Sequence, residues 1–319
     1  VTDPDRAAVA WSGRDDGPDP DLRRWHHVVR TASAESWSDF VFAGFASDEG
    51  VRRNKGRVGA AEGPAELRAA LAGLALPGDA PTAVDAGDVV VADGDLSAGQ
   101  ERLGALVGPH LAAGRRTFVL GGGHAVGYAS YRALAHGGLL DDGRRLGILN
   151  LDAHFDLRDD AVPSSGTPFR QIARDEHAAG RPFHYAVLGI SQPANTERLF
   201  ATARDLGVRH LPDTECGVDN LPAVDAFVDT FLDGCDVAHL TIDLDVLPAA
   251  EAPGVSAPAA YGVPIPVVER VCARVAASGK LALCDVAELN PSYDVDRRTA
   301  RAAARLIHRT ALSWEPLKP

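Results

Sequence analysis

Short apolar runs alternate along this chain with longer stretches whose apolar positions recur at helical spacing. Phe40-Val41-Phe42-Ala43-Gly44-Phe45 reads as a first core strand, apolar almost throughout as a strand buried on both faces must be. Similar runs predict strands near 84–91, 116–121, 145–152, 184–190, 207–211, 237–243 and 280–286. Helices are predicted near 97–113, 125–136, 168–179, 194–206, 220–233, 264–277 and 295–311, and Gly63-Pro64 opens another that runs to about Leu76. Regular β–α alternation implies a mostly parallel sheet of about eight strands with helices on both faces. No repeat, low-complexity tract or linker interrupts it, so residues 39–319 are expected to form a single α/β domain. Residues 1–38 read as a polar N-terminal extension in which Trp11, Trp25 and Trp37 are the large anchors.

Composition narrows the class. A hydrophobic content of 45% and a charged content of 24% in 319 residues suit an ordinary globular protein with a sizeable core. The net charge of -12 argues against nucleic acid or an anionic membrane as partner. Cys216, Cys235, Cys272 and Cys284 form no C-x-x-C pair, which fits buried thiols in a reducing cytoplasm. The first twenty residues lack an apolar core, so neither a signal peptide nor a membrane anchor is expected there.

The chemistry gathers at three strand ends. After Leu146-Gly147-Ile148-Leu149 come Asn150-Leu151-Asp152-Ala153-His154-Phe155-Asp156, and a period of two would turn Asp152, His154 and Asp156 to one side. Thr117-Phe118-Val119-Leu120 runs through Gly121-Gly122-Gly123 into His124, and the strand near 237–243 ends in Asp243-Leu244-Asp245. Any one of these motifs arises by chance as caps or turns. In an open α/β sheet, however, ligands bind beyond the carboxyl ends of the strands, so three such ends predict one shared site. Four carboxylates and two imidazoles are too many for one ion and suit two divalent cations; oxygen-rich donors favour manganese over zinc.

Gly122-Gly123-His124, Asp152-Ala153-His154-Phe155-Asp156 and Asp243-Leu244-Asp245, in this order, resemble the ureohydrolase superfamily of arginases and agmatinases. The resemblance runs from about Val41 to Leu312 and implies a three-layer α/β/α fold with two Mn2+ ions per subunit. It implies that His124, Asp152, Asp156 and Asp243 hold one ion, and that Asp152, His154, Asp243 and Asp245 hold the other. A hydroxide bridging the ions would attack the amidine carbon, with Asp156 handling its proton. Glu288, at the end of the last predicted strand, would pair with the planar cationic group of the substrate. Arginases carry a histidine shuttle soon after the D-x-H-x-D motif; here no histidine lies between His154 and His177.

Within the superfamily, the segments 52–57, 164–170 and 247–258 look most like the branch that converts N-formimidoyl-L-glutamate and water to L-glutamate and formamide in histidine degradation. Such a small-molecule dicarboxylate needs cationic partners, and a loop with Arg52, Arg53, Lys55 and Arg57 is conspicuous in so acidic a chain. Arg53, Asn54, Arg57, Arg170, Asn195 and Glu288 are the expected substrate contacts. A hydrolase of another guanidino acid or an agmatine-like substrate, and a metal-binding homologue without turnover, remain open alternatives. The resemblance also implies a homo-oligomer.

Overall fold

The computed structural model describes residues 3–31, 38–141 and 143–318. Among them, nine strands make one sheet: β1 (Val29–Thr31), β2 (Phe40–Ala46), β3 (Ala83–Val90), β4 (Arg116–Leu120), β5 (Leu146–Leu151), β6 (His184–Ile190), β7 (Arg209–Pro212), β8 (Val237–Asp243) and β9 (Leu281–Ala287). The α-helices are α1 (Trp25–Val28), α2 (Glu49–Arg53), α3 (Gly63–Leu71), α4 (Leu96–Ala112), α5 (Val126–His136), α6 (Pro168–Ala178), α7 (Glu197–Asp205), α8 (Leu221–Asp233), α9 (Ile265–Ala276) and α10 (Arg298–Ser313). None of them is long and apolar enough to cross a membrane.

The period of two divides each central strand between two apolar layers. Phe40 and Phe42 of β2 enter one layer, while Val41, Ala43 and Phe45 enter the other. β4 separates Phe118 and Leu120 from Val119, and β5 separates Leu149 and Leu151 from Leu146 and Ile148. Leu67 of α3, Val224 of α8, Val271 of α9 and Leu306 of α10 close the first layer; Leu103 of α4, Leu134 of α5 and Ile172 of α6 close the second. The result is the expected three-layer α/β/α arrangement.

Strand order is β1-β3-β2-β4-β9-β8-β5-β6-β7, and every pairing between these strands is parallel. All carboxyl ends therefore share one edge. The chain lays down β1, β2 and β3 on one side before β4 comes in beside β2, then crosses over to β5 and builds outward through β6 and β7, with β8 and β9 filling the gap between β5 and β4. This reversal opens a crevice in the middle of the sheet, where a parallel α/β fold places its ligand. His124 follows β4, Glu288 follows β9, Asp243 ends β8 and Asp152 follows β5.

The N-terminal segment differs from a simple polar lead-in. Trp25 is fully buried, its ring edge-on to Phe42 at 5.5 Å, and β1 pairs with β3 at the sheet edge. The indole of Trp11 donates to Asp85 at 2.7 Å, while Trp37 lies outside the described residues. A three-residue strand is too short for its pattern to stand out from loop sequence.

Beneath Trp11, Arg68 of α3 forms a bidentate pair with Asp85 of β3 at 2.6 and 2.9 Å and reaches Asp88 at 2.6 Å. All three side chains are nearly inaccessible to solvent. Removing the cation leaves buried Asp85 without a countercharge and Asp88 with Arg6 alone, which pairs with it at 3.0 Å, a larger loss than breaking a surface pair. Arg68→Met is expected to cost about 3–5 kcal/mol. Urea unfolding at neutral pH measures it, and a loss below about 1 kcal/mol, the scale of a surface pair, would show that the network contributes little.

Candidate metal centre and cleft

β4 ends in three glycines because the chain must slip between its neighbours. A Cβ on Gly122 would collide with the Ser47 carbonyl, which accepts a hydrogen bond from Gly123 N–H at 2.9 Å. The turn delivers His124 into the crevice. There its Nδ1 lies 3.1 Å from Asp152 Oδ2, 3.0 Å from Asp156 Oδ2 and 3.0 Å from Asp243 Oδ2, yet is hydrogen-bonded to none of them. Alongside, His154 Nδ1 lies 3.0 Å from Asp245 Oδ2 and 3.4 Å from Asp152 Oδ1. Within each of the two groups, one donor atom per residue falls within 4.8 Å of the others, and Asp152 belongs to both.

Strand alternation does not carry all these residues into place. β5 ends at Leu151, and Asp156 reaches the cluster through a left-handed backbone with φ of 49°. Asp245 sits in a 3-10 turn, Leu244–Val246, where its N–H donates to Asp243 Oδ1 at 2.9 Å. A tight turn brings two carboxylates together as an extended strand would not. Asp152 Oδ1 accepts from His154 N–H at 2.6 Å, so the loop is bent around its own carboxylate.

A buried network fixes which nitrogen of His124 faces the acids. The Thr241 hydroxyl donates to Asp285 Oδ1 at 2.5 Å, which leaves its oxygen to accept from His124 Nε2–H at 2.9 Å. Asp285 Oδ2 also accepts from His239 Nε2–H at 2.6 Å. With its proton on Nε2, neutral His124 points the Nδ1 lone pair at three carboxylate oxygens. That arrangement is repulsive unless a positive charge lies among them, and it is the tautomer a metal ligand requires. Thr241 and Asp285 carry roles that motif reading missed. A carboxylate inside the apolar strand 281–287 was the available signal, because a buried acid needs a partner.

The titration behaviour reports the same crowding. Burial alone would lower the pKa of His124, but Asp152, Asp156 and Asp243 outweigh it and hold it well above the ordinary value. Burial, with repulsion from Asp245 and Asp152, pushes Asp243 well up. Asp152 moves down despite its burial, because the two imidazoles favour its anion. In the metal-free protein, protons thus take the place of cations. Two divalent ions fit this donor set: hard oxygens dominate, two imidazoles present their Nδ1 atoms, and one carboxylate is shared.

Above the cluster lies a cleft of about 320 Å³ whose lining includes Asn54, Lys55, Asp156, Arg158, Ser165, Asn195, Ser256 and Glu288. Glu288 has a left-handed backbone, φ 68°; its Oε1 accepts from His124 N–H at 2.8 Å, and its buried Oε2 has no partner. Burial, opposed by that N–H and reinforced by Asp245, raises the Glu288 pKa to about 8. Asn54 lines the cleft and donates to Ser165 Oγ at 3.2 Å. Asn195 lines it too, but its amide is engaged with the backbone of Phe155, Ala153 and Ser191, so it braces the loop that carries the acids.

Three expected substrate contacts do not line the cleft. The Arg53 guanidinium is held by Glu49 and by the carbonyls of Pro163 and Gly94. Arg57 lies over the Tyr293 ring at 4.9 Å, and Arg170 pairs with Asp159 at 3.3 Å. Sequence proximity to a site loop does not determine which way a long side chain turns.

The sequence model of the arginase family matches residues 38–313. A formimidoylglutamase of Nocardia farcinica is 59% identical over 314 residues, covering 98% of this chain and 99% of that one. One of Rhodococcus opacus is 57% identical over 308 residues, covering 96% of each. The crystal structure of Trypanosoma cruzi formiminoglutamase with Mn2+ superposes with a TM-score of 0.76 at 28% identity, covering 86% of this chain and 93% of that one.

Because the cluster holds protons where cations would sit, metal binding must expel them, and affinity must fall as pH falls. Manganese titrated calorimetrically into metal-free protein near neutral pH is expected to show heats that vary with buffer ionisation enthalpy in the sense of proton release. Buffer-independent heats would contradict this. Asp243→Ala is expected to lower manganese affinity at least about tenfold, read by metal content after dialysis.

Proposed function

This chain belongs to the arginase family, and we propose that it is the manganese-dependent hydrolase that converts N-formimidoyl-L-glutamate to L-glutamate and formamide. The observation that carries the chemistry is His124 Nδ1 aimed, without a hydrogen bond, into three carboxylates. The substrate assignment is supported by likeness to formimidoylglutamases along nearly the whole chain.

His124, Asp152, Asp156, Asp243, His154 and Asp245 hold two Mn2+ ions in this reading. The ions supply Lewis acidity, making water a competent nucleophile near neutral pH. The remaining work falls to the protein. Burial and the charges of Asp245 and Asp156 raise the Glu288 pKa in the metal-free protein; with divalent cations offsetting those charges, Glu288 is ionised. It receives the amidinium on its unpartnered Oε2 and keeps it planar, protonated and electrophilic. Its other oxygen is locked to the His124 backbone, so the carboxylate is positioned before substrate arrives. Asp156 takes the proton of the attacking water and returns it to the leaving nitrogen. The water oxygen bonds to the amidine carbon, the bond from that carbon to the glutamate nitrogen breaks, and the amine departs with the returned proton. Asn54 supplies a polar contact at the cleft wall, and Asn195 supports the loop that carries Asp156.

Residues 39–319 act as one catalytic domain in this reading, and 1–38 as its extension. A cytoplasmic homo-oligomer acting on a small molecule, without nucleic-acid or membrane partners, fits the acidic surface and the four unpaired thiols.

Formamide release from N-formimidoyl-L-glutamate, measured with and without manganese beside arginine, agmatine and guanidinobutyrate, tests the assignment. Selective, metal-dependent turnover of the first is expected; turnover of a guanidino compound alone would overturn the substrate. Glu288→Gln removes the charge facing the amidinium while keeping its shape, and kcat should fall by about a hundredfold or more with manganese content unchanged. Wild-type turnover in that variant would remove Glu288 from the mechanism.

A further inference from the structure

The cleft is sharply divided in charge. Its floor is formed by buried carboxylates, Asp243, Asp245 and Glu288, with Asp156 beside them, whereas its wall carries two exposed cations, Lys55 and Arg158. The other basic residues of the neighbouring loops are engaged. Arg52 and Arg53 share Glu49, Arg170 and Arg174 share Asp159, and Arg57 covers Tyr293. Lys55 and Arg158 have no side-chain hydrogen bond or ion pair among the described residues.

In a chain with 44 acidic residues against 32 basic ones, unpaired cations beside a ligand-sized cleft call for an explanation. The backbone points them to a common place. Lys55 occupies a left-handed position, φ 62°, that an L-residue adopts at a cost, in the turn after α2 whose residues Asn54, Lys55 and Gly56 line the cleft. Arg158 follows two residues after Asp156, and its N–H donates to Gly166 O at 2.9 Å. Gly166 is the contact point of the two loops: a Cβ there would come within 2.8 Å of Arg158 Cδ and 3.3 Å of Asn54 Nδ2. Lys55, the neighbour of Asn54, and Arg158 therefore flank one opening above the metal cluster.

We propose that Lys55 and Arg158 bind the two carboxylates of the substrate, Arg158 through its planar fork and Lys55 as a point charge. This rests on the substrate reading above and deepens it, replacing the arginines that the structure turns elsewhere. Both cations favour a substrate whose amidine end is positive and whose opposite end is doubly negative. They also repel agmatine, whose far end is an ammonium. The acidic floor and basic wall together orient the ligand, amidine down and carboxylates up.

Arg158→Gln and Lys55→Gln in the manganese-loaded enzyme test the proposal. Each should raise KM for N-formimidoyl-L-glutamate by about ten- to a hundredfold, the scale of a charge-assisted hydrogen bond, with kcat nearly unchanged. N-formimidoylglycine, which has one carboxylate, should lose less, so preference for the diacid collapses. Arg158→Lys should restore part of the loss. Unchanged KM and preference in both glutamine variants, with wild-type manganese content, would overturn the proposal while leaving the reaction intact. Calorimetric binding of N-acetyl-L-glutamate, a dicarboxylate without an amidine, keeps the two readings separable. If the wild type hydrolyses no amidine diacid but binds this probe, and the variants do not, the cation sites stand and the reaction assignment falls. If the variants bind it as tightly as the wild type, the cation sites fall.

Discussion

The constraint on which the structure depends is the concentration of negative charge at the centre of the sheet. Asp152 and Asp243 approach one imidazole nitrogen to about 3 Å, and Asp156 joins them from the loop. Like charges so close in a poorly polarisable interior repel strongly, and the pKa values divide accordingly, with Asp152 low and Asp243 high. Protons relieve the repulsion only in part. Divalent cations relieve it fully and bring with them the Lewis acidity that hydrolysis needs. Thr241 and Asp285 engage the far nitrogen of His124, so that the nitrogen facing the acids is the one a cation can take in place of a proton.

Conformational strain marks the same residues. Asp156 and Glu288 are both non-glycine residues with positive φ, a state that costs on the order of 1–3 kcal/mol each. At both positions the side chain, which a glycine could not supply, is what the site requires. The surrounding contacts hold them there. Glu288 N–H donates to the Gly122 carbonyl at 2.8 Å while its carboxylate accepts from His124, tying the loop after β9 to the loop after β4. The two strands adjoin in the sheet, so this clasp needs no long reach.

Charge is layered from the floor of the cleft to its mouth. In the proposed reading, acids at the bottom would gather metal and the amidine, and cations at the mouth would gather carboxylates, so a substrate with separated charge would enter in one orientation. Most arginines elsewhere in the chain serve structure instead. Arg68 secures α3 to β3, and Arg53 ties α2 to the carbonyls of two other loops. The acidic surplus of the chain therefore does not prevent it from recognising an acidic ligand, because recognition depends on which few cations remain unpaired.

The amino-acid order alone determined the layered fold and the identity of the metal cluster. Apolar runs and helical spacing are local properties, and they marked eight of the nine strands; β1 was too short to register. His124, Asp152, His154, Asp156, Asp243 and Asp245 were legible because each closely follows an apolar run, and a parallel sheet carries all such ends to one edge. Tertiary structure decided the rest. Whether Arg53 or Arg158 faces the cleft depends on where Glu49, Asp159 and three loops come to lie, which no local pattern encodes. The left-handed turns at Asp156 and Glu288 and the buried link from His124 through Thr241 and Asp285 to His239 likewise exist only once β4, β8 and β9 are side by side. Hydrophobic patterning is written along the chain, whereas the pairing of charges is settled in space, where each long side chain takes the partner that folding brings within reach.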